Sequence, residues 1–417
     1  YGHYNKKYSL CDIMKIGIVG AGLGGLLAGA ILSKNNEVII YEKLPIVGGR
    51  FTNLKYKGYQ LTTGALHMVP HGADGYLAQL LKTAGCNVNI VNSDVDGYFK
   101  IKGKDRTYKE LFGIVGFKDK LKALKLMADL KMGKFDDNAS FGELLKDIPY
   151  AYEVGNSFTG WALSLTAEDT PISEIKEIAK HHKKFGGPGM IVGGCSAIIN
   201  ELVKVIKENN GKIITNYNVK NIAIENDKGY IDSNEFDKII SNLSPTITEK
   251  ISNVNIINKN NNNGKKPIPS KGIKISIGSK EKLINHNAVV FTPECERTNG
   301  FNCPSNVDKN LAKEGHNLIM AHGIQITNNI KKEIDIMLND IENIYSEKNI
   351  NYEIIHIQSY RDEIPVNHAS NGTDLDPIVN DNLYMVGDGV KGKGGVEIEG
   401  IALSVMKVVG NINNINK

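Results

Sequence analysis

Three observations predict an α/β fold in which a doubly wound, Rossmann-like domain is interleaved with a second, α+β domain. Residues 15–42 read as strand, glycine-rich turn, helix and a second strand ending on an acid, the order of a nucleotide-binding βαβ unit. Strand and glycine-turn patterns return near residues 186–219, 237–245 and 382–400. The chain also has 417 residues, more than the roughly 250–300 over which a single hydrophobic core keeps growing.

The elements follow in order. Residues 1–13 match no element and read as an extension ahead of Met14. Residues 15–19, Lys-Ile-Gly-Ile-Val, carry the β-branched side chains of a buried strand, and residues 26–33 have helical character. The run 16–32 is uncharged and mostly apolar, so a short membrane span or signal peptide competes with this reading. Six glycines within it, Gly17, Gly20, Gly22, Gly24, Gly25 and Gly29, would weaken a spanning helix. Gly20, Gly22 and Gly25 have the G-x-G-x-x-G spacing of the loop Gly20-Ala21-Gly22-Leu23-Gly24-Gly25. The first glycine permits the tight turn, the second lets backbone approach a pyrophosphate, and the third lets helix and strand pack closely. Free amides at the helix start face the phosphate. The strand 37–41 then ends at Glu42, 22 residues beyond Gly20, where a carboxylate accepts hydrogen bonds from ribose hydroxyls and disfavours a 2′-phosphate.

After Glu42 and Lys43 come Leu44-Pro45-Ile46-Val47-Gly48-Gly49-Arg50-Phe51, then Gly58-Tyr59-Gln60-Leu61-Thr62-Thr63-Gly64-Ala65-Leu66-His67. Here the sequence resembles the FAD-dependent amine oxidase and phytoene desaturase superfamily, nearest its phytoene-desaturase-like branch. The resemblance implies FAD as cofactor, with Gly49 and Arg50 covering its diphosphate, Lys43 beside the ribose acid, and Gly64, Ala65 and Leu66 further along the same site. It implies that Val219, after the likeness at Gly211 to Asn218, offers its backbone to adenine. Asn242 stands where similar chains leave the FAD domain, and Gly387 and Asp388 would contact the ribityl chain or diphosphate. Gly395, Val396, Glu397 and Ile398 would open a last helix over 401–409, its positive end favouring reduced, anionic flavin. Thr62 departs from the superfamily's usual Asp.

On this reading the FAD-binding domain comprises residues 14–74, 185–245 and 376–417. The substrate domain comprises 75–184, mainly helical, and 246–375. No second G-x-G-x-x-G follows a strand, so electrons are expected to enter from the substrate, and the sequence names no electron acceptor. The final glycine-rich motif lacks the aromatic residue that the superfamily's amine oxidases carry there, so the resemblance implies a small apolar, isoprenoid-like substrate with hydride moving between it and the flavin in either direction. An amine or porphyrinogen oxidase of the same superfamily is the alternative, and a non-catalytic prenyl- or lipid-binding escort protein on the same fold is another.

Composition narrows the partners. The chain is 41% hydrophobic and 23% charged with a formal charge of +4, too slight to suggest nucleic acid. Cys11, Cys86, Cys195, Cys295 and Cys303 are scattered without metal-site spacing, so no metal is expected and a reducing cytoplasm is the simple reading. Residues 117–134 form a basic amphipathic segment that would either cover a core with a solvated face or lie on an anionic membrane surface. His67 is the candidate acid–base residue, with a structural histidine as the alternative. His181 and His182 read as surface residues, and Cys195 as a buried structural thiol.

Overall fold

The computed structural model describes residues 13–64, 66–257, 268–360 and 375–415. Ala65, the extension up to residue 12 and the asparagine run 260–263 lie outside the described residues.

Strand Lys15–Val19 stands at the centre of a five-stranded parallel sheet. The order across it is Lys212–Ile214, Glu37–Tyr41, Lys15–Val19, Lys238–Ser241 and Leu383–Met385. Three segments far apart in sequence therefore build one sheet, which both of its faces bury, as parallel strands require. Side chains alternate along each strand. Ile16, Ile18, Ile40 and Ile240 pack against helices Leu23–Leu32, Cys195–Glu208 and Glu397–Ile415. Val19, Tyr41, Ile239 and Leu383 face the opposite way, toward Ile231 and Phe236 of a small antiparallel meander, Ile222–Glu225, Lys228–Ile231 and Asn234–Phe236. Gly17 is the point of closest approach, since a Cβ there would stand 2.5 Å from Ile231.

Two boundaries differ from the sequence expectation. Helix Tyr76–Ala84, expected in the substrate block that opens at residue 75, packs Leu77, Leu81 and Ala84 into the core of the parallel sheet. Its apolar positions recur at helical spacing, and the first and last helices together bury them. The last helix spans Glu397–Ile415 rather than 401–409, because Val405, Val408 and Ile412 continue its buried stripe.

The second body is a seven-stranded sheet ordered Glu353–Tyr360, Gly272–Ser279, Asn317–Ile324, Gly300–Asn302, Val290–Phe291, Tyr98–Ile101 and Lys104–Arg106. Its pairings are antiparallel except where Val290–Phe291 meets Tyr98–Ile101. Ile273, Ile275 and Ile277 point to helix Ile330–Glu347, where Met337, Ile341 and Ile344 close a core. The intervening Lys274 and Ser276 belong to the other face of the sheet. There Leu318 and Met320 pack with Trp161 of helix Ala151–Leu163. No helix among the described residues is long and apolar enough to cross a membrane.

Candidate functional site

The glycine turn is built as its spacing predicts. Gly20 has φ +98°, and its N–H donates to Tyr41 C=O at 2.8 Å. A Cβ on Gly25 would meet the Gly20 carbonyl oxygen at 2.2 Å, a backbone clash that leaves room for hydrogen alone. Helix Leu23–Leu32 begins at Gly22 with no side-chain cap and no acid in its first turn. Its leading amides are therefore presented for an outside anion. Glu42 is buried beneath them, its Oε2 accepting the Ala21 N–H at 2.8 Å and its Oε1 the Leu44 N–H at 3.0 Å. Each carboxylate oxygen keeps a lone pair for a further donor. Tyr217 N–H donates to Glu42 C=O at 2.9 Å, which brings the segment running on to buried Val219 alongside the acid. Lys43 is exposed at the rim.

A second glycine pair rests on this turn. Gly48 (φ +99°) donates its N–H to Ala21 C=O at 2.7 Å, and a Cβ on Gly49 would touch only the Gly22 Cα. From here Arg50 reaches across to form an ion pair with Asp388, whose other oxygen lies 3.3 Å from Lys391 Nζ. Asn242 joins the remaining pieces. With its amide oriented to satisfy both ends, it accepts from Gly22 N–H at 3.1 Å and donates to Val386 C=O at 3.2 Å. Gly387, at φ +113°, leaves space for that side chain.

A cavity of about 90 Å³ adjoins the Arg50–Asp388 pair. Arg50, Gly64, Leu66, Asp388, Glu397 and Ile398 line it together with Trp161, Ser164, Lys274, His322 and Tyr360. Val396 lies elsewhere, packed with Ala162, Leu163 and Ile178. Gly395 is required by closeness, because a Cβ there would meet Gly400 Cα at 2.3 Å.

Lys274, His322 and Ser164, which also line the cavity, escaped the sequence reading. Lys274 is fully buried, and its Nζ donates to Thr62 Oγ1, to Thr62 C=O at 3.1 Å and to Gly64 C=O at 3.3 Å. Burial lowers its pKa to about 7. Thr62, the departure noted above, is thus an acceptor for this lysine. His322 is the cross-strand partner of Lys274. Its Nε2 lies 3.2 Å from Ser164 Oγ, and burial followed by the charge of Lys274 holds its pKa down to about 4. One signal was available: a lysine and a histidine standing in otherwise apolar strand patterns, Gly272–Ser279 and Asn317–Ile324.

The start of the last helix differs from the expectation of an open positive end. Glu397 and Glu399 both fall in its first turn. Burial raises each to about 7, opposed at Glu397 by Lys391 and at Glu399 by the Leu77 N–H, 3.3 Å from Oε2. Lys391 is lowered to about 7 by burial, with Glu397 opposing. Glu397 itself adopts φ +45°, an uncommon conformation for a side-chain-bearing residue that clusters at functional sites.

His67 is a structural histidine. It is fully buried and does not line the cavity; Nε2 pairs with Gln60 C=O at 2.8 Å and Nδ1 accepts the Cys195 N–H at 3.1 Å. Both ring nitrogens are occupied, and burial lowers its pKa to about 4. Cys195, fully buried and raised by burial, directs Sγ at Leu66 C=O. Of the two expected surface histidines, His182 is exposed beside Asp96, whereas His181 is half-buried with Nδ1 3.0 Å from Gly394 C=O.

A parallel sheet with an uncapped glycine-turn helix, a buried acid at the end of its second strand and an adjoining cavity is the frame of a Rossmann-type nucleotide-binding domain. Residues 18–84 match the model of the NAD(P)-binding Rossmann-like domain. An uncharacterised protein of Methanocaldococcus jannaschii is 63% identical over 402 residues, spanning 96% of this chain and all of that protein. A crystallised oxidoreductase from Methanosarcina mazei is 39% identical with a TM-score of 0.87, covering 95% of this chain and all of its own. A Pyrococcus furiosus protein, also 39% identical, superposes with a TM-score of 0.80 over 96% of this chain and 98% of that one. The chain belongs to the family of these three proteins. A 4,4′-diapophytoene desaturase of Staphylococcus aureus is 48% identical over 59 residues, 14% of this chain and 12% of that enzyme. Putrescine oxidase, at 13% identity and a TM-score of 0.70, shares the fold over 96% of this chain and 99% of its own.

Proposed function

We propose that this oxidoreductase binds FAD and moves a hydride between the flavin and a small apolar substrate, in the manner of a desaturase. The distribution of charge and of free amides supports the reading. The uncapped amides after Gly22 would hold the diphosphate, Glu42 the adenosine ribose, Val219 the adenine edge, and Arg50 with Asp388 the far end of the diphosphate and the ribityl chain. A Cβ at Gly25 would close the turn, and the near-contact of Gly49 with Gly22 leaves no side chain over it. Bound FAD would supply the two-electron oxidant or reductant.

The chain's own part is to enclose, orient and handle protons. Phe51, Leu66, Trp161, Ile398 and Ile401 give the cavity its apolar lining, which excludes water and positions a hydrocarbon by shape. Lys274 Nζ, poised near neutrality, is a lining group able to take or return the proton that accompanies hydride removal from a neighbouring carbon. The single observation that carries the reading is that the cavity runs unbroken from the Arg50–Asp388 pair to this apolar wall.

The test is reconstitution followed by turnover. The purified chain, incubated with FAD and desalted, should show bound flavin near one equivalent, and anaerobic mixing with long polyenes or their saturated precursors should bleach it. Bleaching by polyamines alone or porphyrinogens alone would replace the substrate assignment. Failure to retain flavin would favour the escort reading.

A further inference from the structure

Helix Phe117–Lys131 does not cover a core. Among its described side chains none is buried. Ala123, Leu126 and Leu130, half-buried, turn toward the protein, but a second apolar stripe faces outward. Phe117 is 77% exposed, Leu121 52% and Leu124 51%, with Ala128 completing the row. At the pitch of an α-helix these four positions fall within about 60° of one another. Tyr108 and Ile114 of the preceding helix, Tyr108–Ile114, and Met132 just beyond extend the patch and are also exposed. Soluble surfaces rarely show so continuous an apolar area unless something binds there.

Charge identifies the occupant. Lys118 and Lys125 flank the stripe on one side and Lys120 on the other, each about a quarter-turn away. Residues 108–134 hold seven lysines against three acids, an excess of four that equals the formal charge of the entire chain. An exposed apolar row between lysine rails matches a helix lying in the plane of an anionic lipid surface, side chains in the acyl boundary and ammonium groups at the phosphates. A second copy of this chain would bring the same rails together and repel.

We infer that this helix docks the protein peripherally on anionic membranes. The opposite side of the same helix is joined to an element that lines the cavity. Lys122 Nζ donates to Asp147 C=O at 3.3 Å, just before helix Ala151–Leu163. That helix runs about 20 Å to Trp161, and Ser164 lies just past its end; both line the cavity. The inference does not depend on the identity of the substrate, and its test reads lipid binding alone.

The full chain is to be sedimented with vesicles of phosphatidylglycerol and phosphatidylcholine, and with phosphatidylcholine alone. Sedimentation is expected with the anionic vesicles at low salt and to weaken in high salt. The triple change Phe117→Ser, Leu121→Ser, Leu124→Ser should weaken binding at least tenfold with an unchanged melting temperature, since those side chains support no core. Lys118→Gln with Lys125→Gln should weaken it about fivefold per lysine, whereas arginine at both positions should retain it. The inference is overturned by a chain that stays in the supernatant, by equal binding to neutral vesicles, by a triple variant that binds like the parent, or by light scattering that shows the stripe covered in a dimer.

Discussion

The chain uses one device twice, a glycine-rich turn feeding a helix, and the two helix ends are charged in opposite ways. At Gly20–Gly25 the first turn carries no acid and no capping side chain, so its amides and the partial positive charge of the helix end are left for something else. At Gly392–Gly400 the last helix answers its own positive end with Glu397 and Glu399, beside Lys391. A diphosphate suits the first end and would be repelled at the second. The lesson is that a glycine motif locates a helix end, but the neighbouring charges decide what that end can hold.

Four substitutions test how differently the two helix ends are built, the most damaging first. Gly25→Ala places a methyl 2.2 Å from a backbone carbonyl; a loss of about 3 kcal/mol, the upper range for overpacking, is expected together with loss of bound flavin. Thermal unfolding and flavin content read both. An intact turn in that variant would show that the first end is not built on closeness.

Asp388→Asn keeps the shape but leaves Arg50 and Lys391 facing each other across the cavity mouth. We expect about 2 kcal/mol of destabilisation, below the 3–5 kcal/mol of fully enclosed pairs because Arg50 keeps 32% of its side chain in solvent. Flavin retention should fall with it. Chemical denaturation with and without FAD measures the two separately.

Lys274→Met probes the buried lysine of the cavity between the two helix ends. In the native state Lys274 binds fewer protons than in the unfolded chain between pH about 7 and its ordinary 10.5, so its contribution to stability rises with pH across that window. The variant should melt at or above the parent at pH 7, show a flatter rise toward pH 10, and lose any kinetic ionisation near 7. A pH series of melting curves and of kcat/KM tests this.

Glu399→Gln is the mildest. The native carboxyl is raised to about 7 and binds more protons folded than unfolded between roughly pH 4.5 and 7, so its contribution falls as pH rises through that range. Glutamine imitates the protonated form. The variant should equal the parent near pH 5 and exceed it by about 1 kcal/mol above pH 7; equal stability at both pH values would remove Glu399 from the comparison.

The first turn was legible because its parts are close in sequence and its constraint is local. Strand 15–19, the glycine spacing and Glu42 predict one another through backbone geometry alone, and Gly25 confirms it by contact. His67 was not legible in the same way. Nothing near it in sequence reveals that Cys195 N–H, 128 residues away, occupies its Nδ1.

From sequence alone came the parallel sheet, the cofactor-side turn, the pairing of Glu42 with that turn and the basic helix, because each rests on periodicity or on spacing within a few turns of chain. The tertiary structure alone decided which face of strand Gly272–Ser279 carries Lys274, that His322 and Ser164 stand beside it, and that two glutamates close the last helix. Those facts depend on register between strands and on burial, and both are settled when distant segments pack and exclude water, not by any residue's neighbours along the chain.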